Sequence, residues 1–289
     1  MGLTLDRMAL DDVGANPARL AHAIHQQLGE GQGAVPVIEI AKALDIVEIR
    51  LEPLTNFEGA LITTPERSYG SILVNQRSNG RRRRFTIGHE LLHFLSPMHQ
   101  PTTPGGFRCG RRDMTASQID SKDRHLRQES EANAFAIELL APLKRIKRYL
   151  HTEPDLEVVL SMSNELDISK EAAARRYVSC HDETLAVVFS RDHRFLYCDK
   201  SNSFPWTSLR KDVVLPELPV SASVTGLSSV EDAEPGDWIA RPDGVHITMQ
   251  TLRQQEGRAI TLLRIASTDE DEDQGGIDNT YERFTRFGG

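Results

Sequence analysis

Gly88-His-Glu-Leu-Leu-His-Phe94 holds two histidines four residues apart, with a glutamate directly after the first. On a helix, positions i and i+4 share a face, so His89 and His93 can grip one metal ion while Glu90 points at the open coordination position. That is the working arrangement of a zinc-dependent peptidase, with His89 and His93 as metal ligands and Glu90 as the general base. Ten histidines in the chain leave room for a chance match. The surroundings argue against one, because Phe85 to Leu95 is apolar nearly all round and reads as a buried helix. Burying three titratable groups there without a metal would cost on the order of several kcal/mol.

Two histidines leave zinc under-coordinated, since a peptidase site takes a third protein ligand and keeps the fourth position for water. The run Arg127-Gln-Glu-Ser-Glu-Ala-Asn-Ala-Phe-Ala-Ile-Glu-Leu-Leu140 offers Glu129, Glu131 and Glu138. At 3.6 residues per turn, Ala132, Phe135, Ala136, Leu139 and Leu140 fall on one face, with Glu129 at its edge and the other two acids well away. Glu129 is therefore the first candidate and Glu131 the next. Asn133, one turn beyond Glu129, can orient a ligand by hydrogen bonding.

Around these helices the pattern divides the chain. Residues 17 to 28 and 36 to 44 repeat apolar side chains at helical spacing. Val47 to Leu51, Gly59 to Thr63 and Gly70 to Asn75 are short branched runs bounded by Pro, Gly and Asn, the mark of a small sheet. If Gly70 to Asn75 is an exposed edge, an extended substrate can add to it by main-chain bonds. Ser96 to Leu126 is rich in Pro, Gly and charge, and reads as a long surface loop. Arg127 to Ala141 is helical up to Pro142, and two helical runs follow in Glu157 to Val178. Beyond Cys180 the texture turns to strands, at 184–190, 194–199, 237–240, 245–250 and 259–266. The end, from Thr268, is an acidic tail that cannot bury itself.

At 289 residues with 39% hydrophobic side chains, the chain can build a sizeable core. A net charge of -8 argues against a protein held to nucleic acid by general charge. No apolar run is long enough to span a membrane, Met1 to Asp12 lacks the features of a signal peptide, and three widely spaced cysteines form no disulfide framework. A cytoplasmic setting is expected.

Arg84-Phe-Thr-Ile-Gly-His-Glu-Leu-Leu-His-Phe94 followed by Glu129-Ser-Glu-Ala-Asn-Ala-Phe-Ala-Ile-Glu-Leu-Leu-Ala-Pro142 resembles the ImmA/IrrE family of bacterial metallopeptidases. Both halves of that family's pattern are present, and a weaker likeness extends over roughly residues 20 to 178. The resemblance implies zinc held by His89, His93 and Glu129, with Glu90 as base. It also implies limited proteolysis of a partner transcriptional repressor, which switches on stress-response or mobile-element genes. The long segment between the two motifs has no role in that pattern.

Other features have plainer readings beside the functional ones. Asp155 to Val178 has the rhythm of a helix-turn-helix, with Lys170, Arg175 and Arg176 facing a possible groove. Glu165, Asp167 and Glu171 would repel phosphate there, which favours docking over DNA reading. Arg81 to Arg84 reads as a solvated turn paired with acids rather than a nucleic-acid patch. Cys109 can be a thiolate that caps zinc, though an ordinary loop cysteine is the expectation. His99, Arg108, His125 and Tyr149 are the candidates for stabilising an oxyanion, with none favoured.

The sequence thus predicts an α+β protein. Residues 1–150 form a mainly helical zincin-like peptidase domain with a small sheet, 151–180 a helix-turn-helix-like connector, 181–266 a β-rich domain that is sensory, partner-binding or purely structural, and 267–289 an acidic flexible tail. The expected partner is a protein substrate, with DNA less favoured and no membrane. The rival function is a DNA-binding transcriptional regulator that uses zinc only structurally or as a signal.

Overall fold

A computed structural model describes residues 2–101, 106–110, 124–219 and 226–266. The acidic tail expected over 267–289 lies outside the described residues. The chain is α+β, with helices and two separate sheets. Among the described residues no helix is long and apolar enough to cross a membrane.

The N-terminal half begins with helices α1 (Arg7–Asp11), α2 (Pro17–Leu28) and α3 (Val37–Ala43). Strands β1 (Ile46–Glu52), β2 (Gly59–Thr63) and β3 (Gly70–Asn75) follow, then the motif helix α4 (Gly80–Leu95). The Asn79 side chain caps α4 by accepting from the Arg82 amide at 2.9 Å. Four arginines at a helix N-terminus oppose the helix dipole. Here they are held from outside: Arg81 and Arg84 reach Asp167 at 3.3 and 3.2 Å, and Arg84 also donates to the Val35 carbonyl at 2.8 Å. The acid pairing of Arg81 and Arg84 is as expected, but the run forms the first turn of α4 and is half-buried, where a solvated turn was expected.

The first sheet runs β1-β3-β2-β4, where β4 is Gly106–Cys109. Strand β3 pairs parallel with β1 and antiparallel with β2, so both of its edges are taken. The expectation that Gly70 to Asn75 offers an open edge to substrate is thus corrected. Strand β4 also revises the long loop expected between Ser96 and Leu126, because four residues of it pair antiparallel with β2.

Helix α5 (Arg124–Leu140) buries Glu129, Ala132, Phe135, Ala136, Leu139 and Leu140, the face that the helical phase predicts. It crosses α4 where both are small: a Cβ on Gly88 would stand 3.5 Å from Ala136. Short helix α6 (Leu143–Ile146) then leads to α7 (Leu156–Glu165) and α8 (Lys170–Cys180), the helix-turn-helix-like pair.

The second sheet is antiparallel, in the order β6-β5-β9-β8-β7. Its strands are β5 (Leu185–Arg191), β6 (Arg194–Lys200), β7 (Glu231–Ala233), β8 (His246–Arg253) and β9 (Arg258–Ala266). The strand expected at 237–240 is not one. Pro235–Trp238 forms a single helical turn, α9, with Pro235 fixing its start, and the strand lies just before it. Strand β5 is buried almost throughout because both faces are covered. Leu185, Val187 and Phe189 join the core shared with α7 and α8, while Ala186 and Val188 pack with Phe204, Trp238 and Leu263 on the other side.

Candidate metal centre

Helix α4 places His89, Glu90 and His93 in its last two turns, fully buried. Helix α5 brings Glu129 across to them, and β4 brings Cys109 to the same point. One ligand atom from each of His89, His93, Cys109 and Glu129 falls within 4.8 Å of all the others.

The spacings have the scale of a coordination sphere. His89 Nε2 lies 3.1 Å from Glu129 Oε2, His93 Nε2 lies 3.4 Å from Glu129 Oε1, and the two Nε2 atoms are 3.2 Å apart. Cys109 Sγ is 3.5 Å from His93 Nε2 and 3.8 Å from Glu129 Oε1. In a tetrahedral zinc site, N and O ligands stand roughly 3.3 Å from one another and roughly 3.6 Å from a sulfur.

The outer hydrogen bonds agree with that use. His89 Nδ1 faces Asn133 Oδ1 at 3.0 Å, an acceptor, so Nδ1 carries the proton and Nε2 keeps its lone pair. His93 Nδ1 meets His99 Nδ1 at 2.9 Å, and His99 Nε2 meets Glu131 Oε2 at 3.1 Å. Read back from the carboxylate, His99 Nε2 donates to Glu131 and His99 Nδ1 accepts from His93, leaving His93 Nε2 unprotonated as well. Two lone pairs, a carboxylate and a sulfur therefore converge on one buried point. A cation satisfies all of them at once, so these residues fit a zinc ion.

Charge follows the same logic. Burial works to raise Glu129, but the His89 and His93 rings against its two oxygens hold it well below the usual carboxylate range. Burial pushes His93 down to about 3, keeping it neutral as a ligand must be. It disfavours charge on His89 too, yet Glu129 outweighs burial there and raises it. One anion supports one added proton, not two.

Glu90 stands apart from this network. Among the described residues, neither carboxylate oxygen has a hydrogen-bond partner among N–H and O–H groups, and the Cys109 thiol is the polar group beside it. Burial pushes its carboxyl up to about 8. Space for it is made by β2, since a Cβ on Gly59 would come within 2.6 Å of Glu90 Oε1 and 2.5 Å of Thr86 Cγ2.

Of the other residues singled out in the sequence, Glu131 is not in the cluster but supports it through His99. His99 itself orients His93 instead of facing a substrate. Tyr149 is bound up with Glu165 and Arg148, and Arg108 lies against the Phe57 ring. His125 also borders the cluster, with Nδ1 3.6 Å from Glu129. Cys109 is not the loop cysteine that was expected. It is buried on a strand, because residues 107 and 109 alternate inward on β4 and both fall on His93, Phe107 stacking on the ring with centroids 4.6 Å apart.

Residues 42–177 match the IrrE N-terminal-like domain, a peptidase family. The matched span holds both metal motifs and β4. The chain carries an ImmA/IrrE-type domain. No curated protein matches it. Among solved structures it is similar to a Mycobacterium tuberculosis transcriptional regulator, with a TM-score of 0.50, 14% identity, and coverage of 86% of this chain and 87% of that one. At that identity the likeness speaks to the fold alone.

Proposed function

We propose that this chain is a zinc-dependent endopeptidase performing limited proteolysis of a partner protein, a helix-turn-helix transcriptional repressor, in the bacterial cytoplasm. Its cleavage would derepress stress-response or mobile-element genes. The observation that carries the reading is Glu90. A buried carboxylate with no N–H or O–H donor on either oxygen among the described residues is costly by on the order of several kcal/mol unless neutral. A structural metal site has no use for it. A hydrolytic site does, as the group left free to take a proton from water and pass it on.

When bound, zinc supplies Lewis acidity that activates water and polarises a scissile carbonyl. The chain's own residues do the rest. Glu90 takes the proton of the attacking water and delivers it to the leaving amine. Glu129, His89 and His93 hold the ion, while Asn133 and the His99–Glu131 pair fix the two imidazoles in the tautomer that leaves Nε2 open. His125, at the rim, is placed to stabilise developing negative charge.

The reading is tested by Glu90→Gln, which should keep zinc and fold while abolishing cleavage of a helix-turn-helix repressor and induction of the genes it controls. Cleavage that persists would reject it. A second reading has one observation in its favour: with Cys109 the donor set numbers four, and closed four-ligand sites are typical of structural zinc. On that reading the chain is a DNA-binding regulator. It is weakened by the engagement of its candidate groove residues, as Arg176 forks onto Glu138 with two bonds of 2.6 Å and Arg175 pairs with Asp199.

A further inference from the structure

The sulfur at the metal cluster arrives on a particular kind of strand. Strand β4 lies at the edge of its sheet and is paired only to β2 among the described residues. Its four residues run antiparallel to β2, with Cys109 opposite Gly59, and the Glu58 amide donates to the Cys109 carbonyl at 2.9 Å. Gly59 is the position whose missing side chain makes room for Glu90. The contact is tight, since a Cβ on Gly106 would fall 2.2 Å from the Leu61 carbonyl oxygen. An extended peptide held by main-chain bonds beside a catalytic helix is how a strand-adding substrate binds. Here the position is filled from within the chain, and it is filled by a segment that presents a metal-binding sulfur.

We propose that strand Gly106–Cys109 is an internal occupant of the substrate position and that Cys109 is the fourth ligand of the metal, holding the peptidase latent until the strand is displaced. The inference rests on the peptidase reading and adds its regulation. Three things favour it over a permanent structural site. The sulfur stands 3.5 Å from His93 Nε2 and 3.8 Å from Glu129, at the spacing of a shared ion. Phe107, two residues earlier on the same face, covers the His93 ring, so one strand both ligates and seals. And Glu90, of no value to a closed site, is retained beside it. Opening is a ligand exchange: the Cys109 thiolate leaves with its electron pair and takes a proton from solvent, and water enters the vacated position. No oxidant is required.

The full chain loaded with cobalt(II) tests this without any substrate. The wild-type protein should show thiolate-to-cobalt charge-transfer absorption in the near ultraviolet. Cys109→Ser and Cys109→Ala should each keep one cobalt, lose that band, and bind acetohydroxamate at least ~10-fold more tightly, because an open position replaces an occupied one. Absence of the band in the wild-type protein overturns the proposal on its own, even if both variants fold poorly. Equal hydroxamate affinity in wild type and well-folded variants overturns the latency. Failure of the underlying reading looks different: the cobalt results hold, but gene induction in the Cys109→Ala background is unaffected by adding Glu90→Gln.

Discussion

His99 stands 2.9 Å from His93, ring nitrogen to ring nitrogen, and links it to Glu131 3.1 Å beyond. The second carboxylate of the α5 motif thus supports the candidate metal cluster at one remove. It sets which nitrogen of His99 carries a proton, and His99 in turn sets the tautomer of His93. Burial pushes His99 down, which keeps it neutral and able to accept from His93.

Ligand and support should separate in a metal titration. Glu129→Ala removes a charged donor from the cluster, and the purified variant should lose zinc on dialysis. Glu131→Ala and Asn133→Ala free an imidazole to rotate or change tautomer, and each should weaken zinc by roughly 10–100-fold without abolishing it. A competition assay against a chromogenic chelator gives the affinities. If Glu131→Ala strips the metal and Glu129→Ala keeps it, the assignment of the two acids is reversed.

Gly59 should tolerate nothing larger. Its Cβ would meet Glu90 Oε1 at 2.6 Å and Thr86 Cγ2 at 2.5 Å, so Gly59→Ala must push the base out of line or move β2 from α4. Such overpacking typically costs about 1–3 kcal/mol. Thermal melts should report that loss while zinc content stays at the wild-type level, and repressor cleavage should fall with the displacement of Glu90. A variant that melts and cleaves like the wild type would show that the contact is easily relieved.

His125 borders the cluster one turn before Glu129 on α5, with its side chain 41% exposed, so it can meet a bound substrate. As a stabiliser of the developing oxyanion it should contribute on the order of 100-fold to kcat. His125→Ala should therefore lower kcat with zinc affinity and KM nearly unchanged. A loss confined to KM would instead make it a binding residue.

The reach of the sequence ended where partners are chosen over long distances. The motif helix and the Glu129 face were legible because each is a long segment with one strong period, and their side chains must point where the helix points. The placement of β3 was not legible, because strand order depends on which neighbours arrive on each side: β1 by a parallel pairing, β2 by an antiparallel one. Gly106-Phe-Arg-Cys109 is too short, and too deeply set among prolines, glycines and charges, to show a strand period. Its Phe and Cys at i and i+2 were the one available hint. Asp237 to Ala240 misled because Trp238 and Ile239 are both buried, which suits a strand or a helical turn equally, and Pro235 decides for the turn.

The last prediction separates cutting from DNA binding. In a groove-reading helix-turn-helix, Arg175 and Arg176 would have to be available to phosphates or bases. Instead Arg176 bonds Glu138 through both arms and the Ala141 carbonyl at 3.0 Å, and Arg175 pairs with Asp199 on β6. These bonds fasten α8 to α5 and to the second sheet. Replacing Arg176 with alanine removes charged hydrogen bonds worth about 1.5–3 kcal/mol each at most, so the double variant Arg175→Ala, Arg176→Ala should melt earlier yet leave promoter affinity as it was. Glu90→Gln should do the opposite, keeping stability and zinc while abolishing induction of the controlled genes. Promoter binding and induction are measured on the same three proteins. Induction that survives Glu90→Gln but vanishes, together with DNA binding, in the arginine variant would award the function to the rival reading.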